Sequence, residues 1–150
     1  MNNMMFTTCR YLRDLGYDAS LFLFKGEAFL PADDSYDKDY LNYTFELDVD
    51  RSCLNKDCNQ ISNQLKEYSF LIGNDIAPAL MTRIGRVLDV FVPHGSDMYA
   101  YPFPVKKEKN VDGIWWLNSI KLLSKLQKKN ISKIPVFLFP DEYDIHFPYK

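Results

Sequence analysis

The residues with the clearest chemical potential stand directly after an apolar run of β-forming residues. His94, Gly95, Ser96 and Asp97 follow the run at 87–92. An imidazole can transfer a proton or donate a hydrogen bond to an anionic transition state, and a glycine lets the backbone approach a ligand closely. The same residues also suit a turn, in which His94 is exposed and Asp97 caps a short helical turn. The residues alone leave both interpretations open and favour the turn.

A second polar pair follows another apolar run. Asn74 and Asp75 come after Gly73, at the end of the run at 70–72. In open α/β sheets, ligands bind outside the carboxyl ends of the strands. This location makes Asn74 and Asp75 candidate substrate-binding residues, together with the three residues after His94.

Other catalytic signatures are missing from the sequence. Ser96 does not belong to a nucleophile elbow, because G-x-S-x-G is absent, and neither a P-loop nor G-x-G-x-x-G occurs. Cys53 and Cys58 lack a second close pair or a nearby histidine, so we expect no metal site there. His146 has no acid at a recognisable spacing, and we expect it in an exposed tail.

The elements that must position these residues follow from hydrophobic periodicity. Apolar positions three and four apart predict a helix over 3–15, and glycine ends it. Further helices are expected around Ile61 to Tyr68, over 77–84 and over 114–129, the last with lysines opposite a wide apolar face. Buried strands are expected at 19–24, 70–72, 87–92 and 134–139, and an irregular excursion over 25–57.

Alternation of helices with almost wholly apolar strands predicts an α/β fold. The expected architecture is a doubly wound, mostly parallel sheet with helices on both faces. Such folds begin with a strand and a glycine-rich turn, whereas this chain begins with a helix. We therefore expect that the first strand is missing or lies upstream.

Composition limits the classes of function. A chain of 150 residues with 47% hydrophobic residues suits one globular domain over residues 1–150. The net charge is −2, whereas nucleic-acid-binding proteins usually carry a surface rich in basic residues. Nucleic acid is therefore not an expected partner. No apolar run reaches the roughly 18 residues of a transmembrane helix, and the three cysteines suggest no disulfide framework. These features predict a cytoplasmic protein and leave peripheral membrane contact open.

Two segments carry a resemblance to a known family. They read "CRYLRDLGYDASLFLF" and "SFLIGNDIAPALMTRIGRVLDVFVPHGSDMYAYPF". With their spacing, they resemble the N-terminal domain of GT-B glycosyltransferases, in particular the retaining sugar transferases of bacterial surface-polysaccharide synthesis. The resemblance extends over roughly residues 3–139 and implies one Rossmann-like half of a GT-B fold.

The resemblance also implies roles for the candidate residues. His94 matches a histidine that faces the donor sugar and is the expected catalytic residue, with Gly95, Ser96 and Asp97 in the same loop. Asn74 and Asp75 match a loop that lines the cleft. The implied co-substrate is a nucleotide sugar, the implied acceptor is a glycan or a lipid-linked glycan, and no catalytic metal or other cofactor is implied.

The resemblance covers only the acceptor side of such an enzyme. We expect the donor-binding domain, with its paired glutamates and basic phosphate contacts, to be absent from this chain. We therefore expect an incomplete glycosyltransferase domain that is inactive alone and requires a complementary donor-binding domain. The alternative is a flavodoxin-like, non-catalytic binding or interaction module. A small hydrolase using His94 and Asp97 would need a nucleophile that the sequence does not supply.

Overall fold

The structure, a computed structural model, describes residues 4–24, 39–47, 58–93 and 114–138, the last range with side chains from 121 onward. The chain divides into two compact units, Met1–Glu67 and Tyr68–Lys150. Each unit contains its own parallel strands. The prediction of a single domain over 1–150 stays a prediction.

The first unit packs a helix against a pair of parallel strands. Strands β1 and β2 pair in parallel, with Leu21 opposite Thr44 and Phe24 opposite Leu47. The predicted first helix and first strand are confirmed, with slightly shorter bounds. The elements of this unit are α1 (Met4–Asp14), β1 (Leu21–Phe24), a 3₁₀ turn (Tyr40–Asn42), β2 (Thr44–Leu47) and α2 (Asn59–Leu65).

The core of the first unit joins α1 to the strand pair. Phe6 and Cys9 of α1 are buried with Leu21 of β1 and with Tyr43, which precedes β2. The guanidinium of Arg13 lies 4.6 Å from the centre of the Tyr43 ring, within range of a cation–π contact. This cluster fixes the end of α1 over the two strands.

The prediction of an irregular excursion over 25–57 is wrong at β2. The sequence Thr44-Phe45-Glu46-Leu47 lacks the continuous apolar run used to recognise buried strands. Phe45 is 42% exposed, and its ring lies 5.6 Å from that of Phe22 on the neighbouring strand. The strand therefore depends on cross-strand pairing with β1, which the local pattern does not reveal.

The second unit contains a three-stranded parallel sheet in the order β3-β4-β5. Ile72 pairs with Val90, and Val90 with Val136. Each apolar run overlaps a strand, as predicted, but hydrogen-bonded pairing covers only part of it. The prediction of burial is wrong at Phe70, Val136 and Leu138, which are exposed. The elements are β3 (Ile72–Gly73), α3 (Ala77–Arg83), β4 (Val90–Phe91), α4 (Ile114–Ile131) and β5 (Val136–Phe137).

Two glycines end helices by the same hydrogen-bond pattern. After α3, Gly85 has φ 74°, and the amide of Arg86 donates to the carbonyl of Met81 over 2.8 Å. Gly16 has φ 88° after α1, with the equivalent bond from Tyr17 to Leu12 over 3.0 Å. This is the Schellman arrangement, in which glycine avoids the steric cost of a left-handed backbone. Both predicted helix ends are confirmed.

The fold class is α/β with short parallel sheets. In the described parts of the chain, the strands form two separate sheets, and the longest strands have four residues. The parallel pairing agrees with the prediction from apolar strands alternating with helices. No helix in the described ranges combines the length and apolar character needed to cross a bilayer.

Candidate ligand-binding edge of the second sheet

Strands β3, β4 and β5 end at a common edge. The amide of Val92 donates to the carbonyl of Gly73 over 2.8 Å, and that of Leu138 donates to Phe91 over 2.9 Å. Because parallel strands run in one direction, the residues after each strand emerge on the same side of the sheet. Asn74 thus begins beside the end of β4, at the edge where ligands bind in open α/β sheets.

The Asn74–Asp75 turn has a distinctive backbone. Asp75 has φ 49°, the one positive φ among the described residues other than glycine. Aspartate and asparagine tolerate this left-handed conformation better than most residues. The carbonyl of Asn74 accepts a hydrogen bond from the Ala77 amide over 2.9 Å, which closes the turn into α3. Both side chains are half-buried at the sheet edge.

Gly73 allows the start of α3 to approach β3 closely. A Cβ at this position would lie 2.7 Å from the Cβ of Ala77 and 2.9 Å from Cδ1 of Leu88. Since the Ala77 Cβ is fixed to the helix backbone, only glycine fits without a shift of α3. The turn between Gly73 and Ala77 is therefore closely packed, with no room for a side chain at position 73.

The side chain of Gln127 on α4 anchors this turn from the interior. It is fully buried at 0% exposure. Its Nε2 donates to the carbonyl of Asp75 over 2.8 Å, and its Oε1 accepts from the amide of Ala79 over 3.0 Å. The oxygen and the nitrogen of the Gln127 amide therefore both have hydrogen-bond partners. Buried polar groups need such partners because water cannot reach them.

Asn130 makes an equivalent pair of bonds three residues later. Its Oδ1 accepts from the Leu88 amide over 3.2 Å, and its Nδ2 donates to the Arg86 carbonyl over 2.7 Å. Asn130 is also buried, at 2% exposure. Residues three apart lie on one helix face, so α4 fixes both the turn after β3 and the segment before β4.

From residue 121 onward, the buried face of α4 carries polar side chains as well as apolar ones, whereas the sequence predicts a wide apolar face. Leu123 is buried as expected, and the lysines described on this helix are exposed, but Leu122 and Leu126 are only half-buried. The remaining buried positions within 121–130 are polar: Ser124, Gln127 and Asn130. Their spacing of three residues on the side of Leu123 was the available signal. The backbone groups that Gln127 and Asn130 bind lie 42 to 52 residues away.

The structure positions part of the predicted site. Asn74 and Asp75 lie in one turn at the carboxyl edge of β3, as expected from the sequence. The other candidates, His94, Gly95, Ser96 and Asp97, lie outside the described residues, as does His146. Val92 and Pro93, which lead to them, are buried. The proposed roles of the His94 loop stay predictions.

The chemistry available at the described edge is hydrogen bonding to a polar ligand. An asparagine amide both donates and accepts, and an ionised carboxylate accepts through both of its oxygens. Together they suit a ligand rich in hydroxyl groups. In the described ranges, no three histidine, cysteine or acidic side chains come together as metal ligands. Cys58 is buried at the start of α2, and Cys53 lies outside those ranges.

Comparison with known proteins gives no relative from which a family can be assigned. No protein-family model matches the sequence. No curated protein and no solved structure shows a significant match. Function must therefore be argued from the edge itself and from the resemblance of the two sequence segments.

Proposed function

We propose that this chain is the acceptor-side domain of a GT-B-type glycosyltransferase, completed by a separate donor-binding domain. The observation that best supports the proposal is the common carboxyl edge of β3 and β4. There the Asn74–Asp75 turn begins beside Val92, whose amide bonds to Gly73 over 2.8 Å. The resemblance of "IGNDIAPAL" and "PHGSD" to the family gives this edge its chemical interpretation.

The proposed fold extends the observed parallel sheet to one Rossmann-like half of a GT-B enzyme. Helices α3 and α4 are joined by the Gln127 bond to Ala79 and by a bond from Thr82 Oγ1 to the Leu126 carbonyl over 2.8 Å. A parallel sheet supported by such crossover helices is the arrangement from which doubly wound folds are built. In the proposal, the sheet edge faces a cleft shared with the donor-binding domain.

The proposed roles follow from the side-chain chemistry. Asn74 and Asp75 bind sugar hydroxyl groups by hydrogen bonds. His94 contacts the transferred sugar as charge develops on the leaving diphosphate, and a fixed donor there lowers the barrier by several kcal/mol. Gly95 leaves space for the ligand. The nucleotide sugar is a co-substrate held mainly by the complementary domain.

The compartment in this proposal is the cytoplasm. Cys9 and Cys58 are both buried, and cysteines in the cytoplasm are kept reduced. The acceptor is a glycan, free or linked to a lipid. This assignment requires no disulfide and no resident metal.

Calorimetric titration tests the division into acceptor and donor sides. We expect methyl glycosides, used as acceptor mimics, to bind the isolated chain, and UDP-glucose to bind weakly or not at all. Asp75→Asn and Asn74→Ala should weaken glycoside binding, whereas Glu67→Gln, at an exposed position in the first unit, should not. Tight binding of UDP-glucose to this chain would contradict the assignment of the donor site to a separate domain. Absence of glycoside binding would contradict the acceptor role and favour the flavodoxin-like alternative.

A further inference from the structure

Four lysines form a line along the outer surface of α4 and the turn that follows it. We call this set, Lys121, Lys125, Lys129 and Lys133, the lysine ridge; every member is exposed. Residues four apart on a helix form a ridge, with about 6 Å between successive members along the axis. The three members on the helix are therefore evenly spaced along α4, and Lys133 follows in the turn after it.

The positive charge of the ridge is not balanced by its own segment. No aspartate or glutamate occurs between residues 114 and 140. Two acids lie in the described part of the second unit: Asp75 in the turn after β3 and Asp89, whose Oδ2 accepts from the Leu71 amide over 2.8 Å. No acidic side chain in the described ranges forms an ion pair with a ridge lysine. Among the described residues, the ridge is therefore a cluster of positive charge in a chain whose net charge is −2.

Apolar side chains flank the ridge. Leu122 and Leu126 form the adjacent row of the helix and are half-buried, so part of each remains at the surface. The methylene chains of lysine can lie along such an apolar surface, while the ammonium groups extend toward negatively charged groups. A helix face of lysines beside leucines has the character of interfacial helices, which contact headgroups and the upper acyl region together.

We propose that the lysine ridge binds an anionic phospholipid surface. A lysine near such a surface contributes about fivefold in affinity, and the contribution decreases with salt. Nucleic acid fits less well, because no arginine or aromatic residue occurs from Lys121 to Lys133 to contact or stack on bases. Burial of the exposed leucine surface at the acyl boundary favours binding to a membrane. Along a phosphate backbone the same surface gives no comparable stabilisation. The proposal stands independently of sugar transfer.

Co-sedimentation with vesicles tests the proposal on the full chain. The probes are vesicles of phosphatidylcholine alone and vesicles of phosphatidylcholine mixed equally with phosphatidylglycerol. Lys125→Gln is compared with the matched variant Lys66→Gln, which removes an exposed lysine from the first unit. A variant with all four ridge lysines changed to glutamine completes the set, and its thermal melting shows whether it folds. A single-stranded oligothymidylate is titrated in parallel.

We expect binding to the anionic vesicles only, weakened by added salt. Lys125→Gln should reduce the affinity about fivefold, Lys66→Gln should leave it unchanged, and the folded fourfold variant should not sediment. Equal binding by Lys125→Gln, Lys66→Gln and the unmodified chain would overturn the proposal, as would failure of the unmodified chain to bind anionic vesicles. Tighter, ridge-dependent binding to oligothymidylate would assign the surface to nucleic acid and also overturn it.

Discussion

The Nε2 of Gln127 donates a hydrogen bond of 2.8 Å to the carbonyl oxygen of Asp75, across 52 residues of sequence. The other end of the same amide accepts from Ala79, so one side chain holds both sides of the turn into α3. Because Asp75 lies at the carboxyl edge of β3, this buried amide determines where the candidate ligand-binding residues stand.

Replacing Gln127 with methionine should destabilise the protein strongly. The variant keeps a similar length but removes the bonds from Gln127 to the Asp75 carbonyl and to the Ala79 amide, which keeps its bond of 3.0 Å to the carbonyl of Ile76. The loss of two hydrogen bonds of about 1 kcal/mol each predicts a decrease of about 2 kcal/mol in the free energy of unfolding. Urea denaturation measures it. Lys125→Met, on the exposed face of the same helix, should change it by less than about 0.5 kcal/mol. Equal effects of the two substitutions would contradict the anchoring role of Gln127.

The stability of variants at position 75 should follow the preference of each residue type for a left-handed backbone. Asp75 has φ 49°, which glycine adopts freely and a β-branched residue adopts only with strain. We expect Asp75→Gly to be more stable than Asp75→Val by about 1–2 kcal/mol, measured by chemical denaturation. Thr82→Gly and Thr82→Val, within α3, give the reference comparison, in which glycine should be the less stable variant. A greater stability of the valine variant at position 75 would show that the turn has another conformation.

Gly73→Ala should destabilise the junction between β3 and α3. The added Cβ would lie 2.7 Å from the Cβ of Ala77, a contact that requires α3 to move. Overpacking of this kind costs about 1–3 kcal/mol. Ser69→Ala, at an exposed position shortly before β3, is the control and should be nearly neutral. If thermal and urea unfolding show equal stability for the two variants, the close approach of α3 to Gly73 is not present in solution.

Two phenylalanines of the second unit should differ sharply in their contribution to stability. Phe91 on β4 is 0% exposed, and its ring packs edge to face against Phe137 with a centroid distance of 5.9 Å. Phe91→Ala should cost about 3–5 kcal/mol. Phe70→Ala should cost far less, because Phe70 is 59% exposed. Similar losses in denaturation experiments would contradict the assignment of β4 as the centre of the sheet.

Local sequence patterns were sufficient for the elements with strong periodicity. The predicted helix over 77–84 and its end at Gly85 agree with α3, since amphipathic spacing and a helix-ending glycine are both local signals. The apolar run at 87–92 indicated burial correctly, as Leu88 and Val92 are 2% and 6% exposed. Strand pairing within that run is limited to Val90–Phe91, because pairing depends on partner strands that local hydrophobicity does not report.

The polar contacts at the site depended on long-range structure. In the sequence, only the three-residue spacing of Ser124, Gln127 and Asn130 distinguishes Gln127 from the solvent-exposed glutamines common in helices. Its role comes from backbone groups at Asp75 and Ala79, which only the docking of α4 on α3 brings to it. Asn74 and Asp75, in contrast, could be found from the sequence, because their position after an apolar run predicts the carboxyl edge of a strand.

The most direct test of the proposed sugar-binding edge is amide chemical-shift mapping during titration of the ¹⁵N-labelled chain with methyl glycosides. We expect shifts concentrated at Asn74, Asp75 and Val92, with the amides of α1 unchanged. Asp75→Asn should weaken glycoside binding in this titration, and Glu67→Gln should leave it unchanged. If no glycoside perturbs the Asn74 and Asp75 amides, or if the shifts gather elsewhere in the molecule, the edge of β3 and β4 is not an acceptor site.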